Sequence, residues 1–159
     1  MSAFNVEKVL NDDILTLSFS GSVDEDASFS GVEFGAHSQV VLDLENISAI
    51  NSCGIREWIK WLQTAPEGTK LVYRNCPKVI VDQINMVSGF LPPHAEVESF
   101  YVPYYSEASG AEKMILFKKG VDFNGGEIEA PETIQDPESG EEMEMDVIEA
   151  KYFKFLKKG

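Results

Sequence analysis

Basic residues are scarce in this sequence. Lys and Arg total 13 against 27 Asp and Glu, a formal net charge of −14. Nucleic-acid binding rests on neutralising phosphates with Lys and Arg, so no nucleic-acid partner is expected. Anionic membrane surfaces are disfavoured for the same reason. No apolar run reaches the roughly 18 residues that read as a membrane span, so no direct membrane insertion is expected. Cysteine is nearly absent too, with Cys53 and Cys76 alone. Met1 to Glu7 lack the basic and apolar regions of an export signal. Two cysteines without such a signal read as reduced thiols in a cytoplasmic protein. Histidine occurs only as His37 and His94, and His94, after Pro92-Pro93, reads as an exposed loop residue. No strand-linked G-x-G-x-x-G, Gly-x-Ser-x-Gly elbow or P-loop is present. The expectation is a non-catalytic protein without a cofactor. With so many acids, counting alone does not exclude a carboxylate pair.

At 159 residues the chain is long enough for one domain plus an appendage. Residues 4–10 and 13–20 read as strands joined by the turn-like Asn11-Asp12-Asp13. A loop starts at Gly21, and a short helix around Phe29 to Phe34 is one reading of residues 24–37. Val40 to Leu44 reads as a central strand. Ile55, Trp58, Ile59 and Leu62 recur at i, i+3, i+4 and i+7, the stripe of an amphipathic helix. Lys70 to Arg74 is a further strand. Pro77 opens a second helix from its first position, with Ile80, Ile84 and Val87 as the apolar stripe. Glu96 to Val102 reads as one last strand. The order β-β-(α)-β-α-β-α-β predicts an α/β fold, a mixed sheet with helices packed on it.

The strand-to-helix junction Ile50-Asn51-Ser52-Cys53-Gly54-Ile55 carries the chemistry. Helix N-termini expose unpaired N–H groups and favour negative charge. A hydroxyl there either caps the helix or carries a phosphate. Asn51 is itself a good N-cap. Cys53 reads as a small packing residue; a reactive helix-N-terminal thiol is the sharper alternative. The element order, Gly21-Ser22-Val23-Asp24, Val40-Val41-Leu42-Asp43-Leu44 and above all this junction resemble the STAS domain family of anti-sigma-factor antagonists, over residues 1–103. Many members carry Asp, then a phosphorylated Ser or Thr, then any residue, Gly and an aliphatic. Ser52, Gly54 and Ile55 match that pattern, while Asn51 replaces the Asp. The resemblance implies a bacterial protein-binding regulator with Ser52 as phosphoacceptor and Asp24, Asn51, Cys53, Gly54 and Ile55 at the partner contact. The implied partner is an anti-sigma factor, serine kinase or related regulator. A constitutive scaffold, or an accessory subunit of a transporter, are the other readings.

Residues 104–159 differ in character. Ser106-Glu107-Ala108-Ser109-Gly110 and Asp136-Pro137-Glu138-Ser139-Gly140 lie 30 residues apart, each followed by strand-like sequence. They resemble the two Cys-x-x-Cys-Gly turns of a zinc ribbon, with Ser106, Ser109, Asp136 and Ser139 in the four ligand positions. Three hydroxyls and one carboxylate do not make a structural zinc site, which takes thiolates and imidazoles. A metal-free, ribbon-like β appendage is therefore expected. Residues 127–149 hold ten acids and no Lys or Arg. That run reads as a solvated face or mobile loop, or as an acidic docking surface for a basic partner. Tyr152, Phe153, Phe155 and Leu156 alternate with lysines as a packed strand or short helix.

Overall fold

A computed structural model of the chain describes residues 4–29, 32–35, 37–87, 89–92, 95–124, 127–128, 130–136 and 138–157. The expectations for His94 and Pro137 lie outside these residues. Five strands form one sheet in sequential order: β1 (Asn5–Asn11), β2 (Ile14–Val23), β3 (Gln39–Ile50), β4 (Lys70–Arg74) and β5 (Ala95–Val97). β1 and β2 are an antiparallel hairpin, and β2 to β5 run parallel. Helix α1 (Ser52–Leu62) joins β3 to β4, and α2 (Lys78–Met86) joins β4 to β5. The protein is an α/β fold. Among the described residues no helix is long and apolar enough to cross a membrane.

Alternation decides which sheet face is buried. Leu15, Leu17, Phe19 and Val23 of β2, with Val40, Leu42 and Leu44 of β3, point into the core. Trp58, Trp61 and Leu62 of α1 and Ile80, Val81 and Ile84 of α2 pack in the same core. Trp58 Nε1 donates to the Tyr73 hydroxyl (3.2 Å), which donates to the Phe90 carbonyl (2.5 Å). This chain satisfies the two polar atoms that the aromatic core would otherwise strand.

Five local expectations change. The loop expected from Gly21 begins after Val23, because Gly21, Ser22 and Val23 continue β2 and pair with β3. The short helix read around Phe29 to Phe34 is not present among the described residues: Phe29 and Val32–Phe34 are irregular, and Ser30 and Gly31 lie outside them. Phe29 and Phe34 instead stack on Trp61, at 5.2 and 4.5 Å between ring centroids, while Trp61 Nε1 donates to the Val32 carbonyl (2.9 Å). Aromatic packing outweighs local propensity there. The central strand runs on from Leu44 to Ile50. Its register against β2 shifts twice, between Ser18 and Ser20 and between Gly21 and Ser22, and each time β3 holds the extra residue. Pro77 is the N-cap of α2, not its first residue. The strand expected over 96–102 is two strands, β5 and β6 (Ser99–Tyr105), in different sheets.

Glu98 makes that switch. Its N–H donates to the Tyr73 carbonyl (2.8 Å), its carbonyl accepts from the Lys119 N–H (2.8 Å), and its carboxylate holds Arg74 (2.5 Å). β6 then runs beside Cys76, whose N–H donates to the Ser99 carbonyl (3.1 Å). The expected boundary between residues 103 and 104 falls inside β6.

The second sheet is antiparallel, with β7 (Glu112–Lys118), β10 (Thr133–Gln135) and β11 (Glu142–Met145) in the order β10-β11-β6-β7. β8 (Phe123–Asn124) and β9 (Glu127–Ile128) pair separately. The acidic run is therefore not loop throughout: it contributes β9, β10 and β11, and Met143 is buried. Helix α3 (Glu149–Tyr152) and a 3-10 turn at Lys154–Lys157 close the described chain. Tyr152, Phe153 and Phe155 pack around Phe100, and Asn85 of α2 fastens them. Its Nδ2 donates to the Tyr152 carbonyl and its Oδ1 accepts from the Phe155 N–H, both at 2.9 Å. One continuous hydrophobic cluster reaches from Leu15 to Phe155.

Candidate functional site

Parallel pairing of β2 and β3 places Val23 opposite Ile50, so the β2 exit loop and the start of α1 lie side by side. The Asn51 N–H donates to the Val23 carbonyl (3.1 Å). Asn51 Oδ1 accepts from the Gly54 N–H (2.9 Å), the N-cap bond of α1, and its Nδ2 donates to Glu25 (2.9 Å). Gly54 is buried against the end of β2. A Cβ on it would meet the Val23 carbonyl oxygen at 2.0 Å and its carbon at 2.5 Å. Only glycine lets the two backbones approach this closely.

The remaining residues divide clearly. Ser52 is exposed in the first turn, and its side chain makes no hydrogen bond among the described residues. Cys53 is half-buried, with Arg56 Nη2 at 3.6 Å from its Sγ. Ile55 is half-buried. Asp24 is engaged in its own loop, where its Oδ1 accepts from the Asp26 N–H (2.9 Å). Cys76 is fully buried, and burial pushes its thiol pKa up, which keeps it protonated and inert.

Glu25 is the member of this cluster that the sequence did not reveal. The Asn51 amide lowers its carboxyl pKa, so it is a weakened base as well as a second anchor for the cap. Nothing in the sequence near Glu25 marks it; the meeting depends on the β2–β3 register. The junction thus offers an accessible hydroxyl on a capped helix start, with Glu25, a weakened base, as the nearby carboxylate held by the cap. No protein-family model matches this sequence, and no curated protein matches it.

The two Ser-Gly turns also come together, and they share one backbone pattern. In the first, the Gly110 N–H donates to the Ser106 carbonyl (2.7 Å) and the Ser106 N–H to the Ala111 carbonyl (2.9 Å). In the second, the Gly140 N–H donates to the Asp136 carbonyl (2.7 Å) and the Asp136 N–H to the Glu141 carbonyl (2.8 Å). Gly110 and Gly140 both take positive φ, 73° and 76°. Ser109 donates across to Glu141 (2.7 Å), and Ser139 to Asp136 (3.0 Å). Ser106 Oγ is buried near Glu141 but outside hydrogen-bond geometry. Among the described residues no cluster of His, Cys, Asp and Glu could hold a metal ion.

A lysine ties the turns together. Lys113 Nζ lies 2.7 Å from Asp136 Oδ1, on a side chain only 13 % exposed. It holds the Asp136 carboxyl down to about 2, from an ordinary 3.8. As pH falls the unfolded chain takes up this proton first, so the contribution is complete above the ordinary value and vanishes as pH approaches the folded one. Asp136→Asn should therefore lower the urea midpoint at neutral pH. Its gap to wild type should narrow steadily below about pH 4. A gap that stays constant down the acid limb would show that the pair contributes nothing through charge.

Proposed function

We propose that this chain is a STAS-like, anti-sigma-factor-antagonist-like regulator that binds a protein partner through the β2–α1 junction, with Ser52 as its phosphoacceptor. The observation that carries the reading is the division of labour between Asn51 and Ser52. Asn51 caps α1, and Ser52 is left exposed with no side-chain hydrogen bond among the described residues. The sequential strand order after an N-terminal hairpin fits the same family reading, and the shared backbone pattern of the paired Ser-Gly turns fits that of a ribbon-like appendage.

The chemistry of the switch follows from charge. A phosphate adds close to two negative charges and three acceptor oxygens. The first turn of a helix accommodates it, through free N–H groups and the helix dipole. A partner packed on that turn meets both the added bulk and the added charge, and is released. Asn51 supplies no basicity, so the base that takes the Ser52 proton belongs to a separate serine kinase, which transfers the γ-phosphoryl group of ATP to the Ser52 oxygen and releases ADP. Asp24 and Glu25 in the adjacent loop, with Cys53 and Ile55 on α1, frame the contact.

Two measurements test this. Incubation with an anti-sigma-factor-type serine kinase and ATP should add one phosphate, mapped by mass spectrometry to Ser52. In parallel pull-downs, Ser52→Ala should retain the partner of the wild type and Ser52→Asp should lose it, with both variants unfolding at the wild-type midpoint. Equal capture by all three would mean a constitutive adaptor and sink the switch.

A further inference from the structure

A second surface lies away from the junction, where α2 meets the segment between β11 and α3. Met86 is 71 % exposed and Ile148 is 64 % exposed. Both line a groove of about 370 Å³ whose other apolar walls are Val147 and Tyr152. Val147 and Ile148 also line a second groove, of about 460 Å³, beside β10 and β11. The two grooves adjoin along these shared residues. Large apolar side chains this exposed, in a concave and continuous setting, mark an interaction surface more than a folding need.

Charge selects the occupant. Glu132, Glu144 and Glu149 line the second groove, and Asp82 and Asp146 line the first. Among the described residues Glu132, Glu144, Asp146 and Glu149 take part in no ion pair. Among the described lining residues the cations are Lys78 and Lys151, and Asp82 already pairs with Lys78 (2.8 Å). Five carboxylates against two ammonium groups leave three negative charges around an apolar floor. A rigid base holds that floor, because Asn85 pins Tyr152 to α2.

We infer that these grooves dock a basic, amphipathic polypeptide segment. Its apolar side chains seat on Met86, Val147 and Ile148, and its Lys or Arg side chains meet Glu132, Glu144, Asp146 and Glu149. Helix-in-groove recognition works this way: apolar anchors give affinity, and flanking charges give orientation and rate. This surface is independent of Ser52, so it holds whether or not the junction is a phosphorylation switch.

The test uses the full chain and a fluorescent synthetic amphipathic peptide of Leu and Lys, with a Leu–Glu peptide of the same pattern as control. Anisotropy titrations should show binding of the Leu–Lys peptide alone. The double variant Met86→Ser, Ile148→Ser should weaken it about tenfold or more, as loss of central apolar anchors does. Both positions are exposed, and thermal unfolding confirms that the variant stays folded. Glu132→Gln with Glu149→Gln should weaken binding too, while Glu7→Gln with Glu67→Gln, exposed on β1 and in the turn before β4 and outside both grooves, should not. Affinity indifferent to the apolar pair, or weakened equally by the remote pair, would mean diffuse attraction to an acidic protein and overturn the proposal. So would absence of binding. A dimer in sedimentation that Ile148→Ser dissolves would assign the grooves to a second copy of the chain, and overturn it as well.

Discussion

Gly54→Ala lowers the stability of this protein by about 3 kcal/mol or more, toward the upper end of what overpacking costs. The direction is opposite to the usual one. In an ordinary helix interior, alanine is better than glycine by about 1 kcal/mol. Here the added Cβ lands 2.0 Å from the Val23 carbonyl oxygen and 3.0 Å from Val23 Cγ1. The obstacle is backbone on one side and helix on the other, so no side-chain rotation relieves it. Either α1 lifts off the end of β2, or the Asn51–Val23 bond breaks. Urea unfolding at an unchanged m-value reads the loss directly. A midpoint equal to or above wild type would show that the approach of α1 to β2 is looser than described. Ser52→Ala, two residues away on the exposed side, serves as the control and stays within about 0.5 kcal/mol.

Phe100→Ala carries the second large effect, about 3–5 kcal/mol for emptying a fully buried aromatic site. Phe100 is completely buried at the start of β6, and its ring lies 5.2 Å from Phe123, 5.1 Å from Phe155 and 5.9 Å from Phe153 and Phe117. Its backbone is bridged to Cys76, the residue that leads from β4 into α2. The site therefore holds the C-terminal aromatics and both sheets in one cluster. Both tryptophans of the chain, Trp58 and Trp61, sit on α1 against the first sheet. If the cluster is cooperative, Trp fluorescence and far-UV circular dichroism shift together in Phe100→Ala. A Trp midpoint left in place, with only part of the dichroism lost early, would show two separately folding regions.

These two sites also separate what local pattern determines from what it does not. β1, β2, β4, α1 and α2 were legible because each satisfies its own periodicity: alternation along β2, helical spacing along α1 and α2. The buried stripe of α1 was only half legible. The spacing favours Ile55, Trp58, Ile59 and Leu62, yet Ile55 and Ile59 are half-buried while Gly54 and Trp61 are inside. The close approach at Gly54 rotates the helix toward that edge, and periodicity alone carries no information about which edge a glycine will present. Phe29, Val32–Phe34 and the 96–102 segment depart from local pattern for a related reason. Their apolar content is real, but Trp61 recruits the first, and Glu98 divides the second between sheets.

The candidate site shows the same division. The order Asn51-Ser52-Cys53-Gly54-Ile55 by itself determined a helix start with a cap and a glycine, because caps and turns are chosen by one or two residues acting locally. Which of Asn51 and Ser52 does the capping, and that Glu25 joins them, were decided only by the tertiary structure. The β2–β3 register, with its two bulges, brings residues 26 positions apart into hydrogen-bond range. The same holds at the far end, where the spacing of the Ser-Gly turns is local and readable. That Lys113 ties them through Asp136, and that Met86 meets Ile148 in one groove, come from strands and helices distant in sequence. Propensities and caps act within a turn or two of the chain, whereas registers and packing are settled only when remote elements compete for the same core.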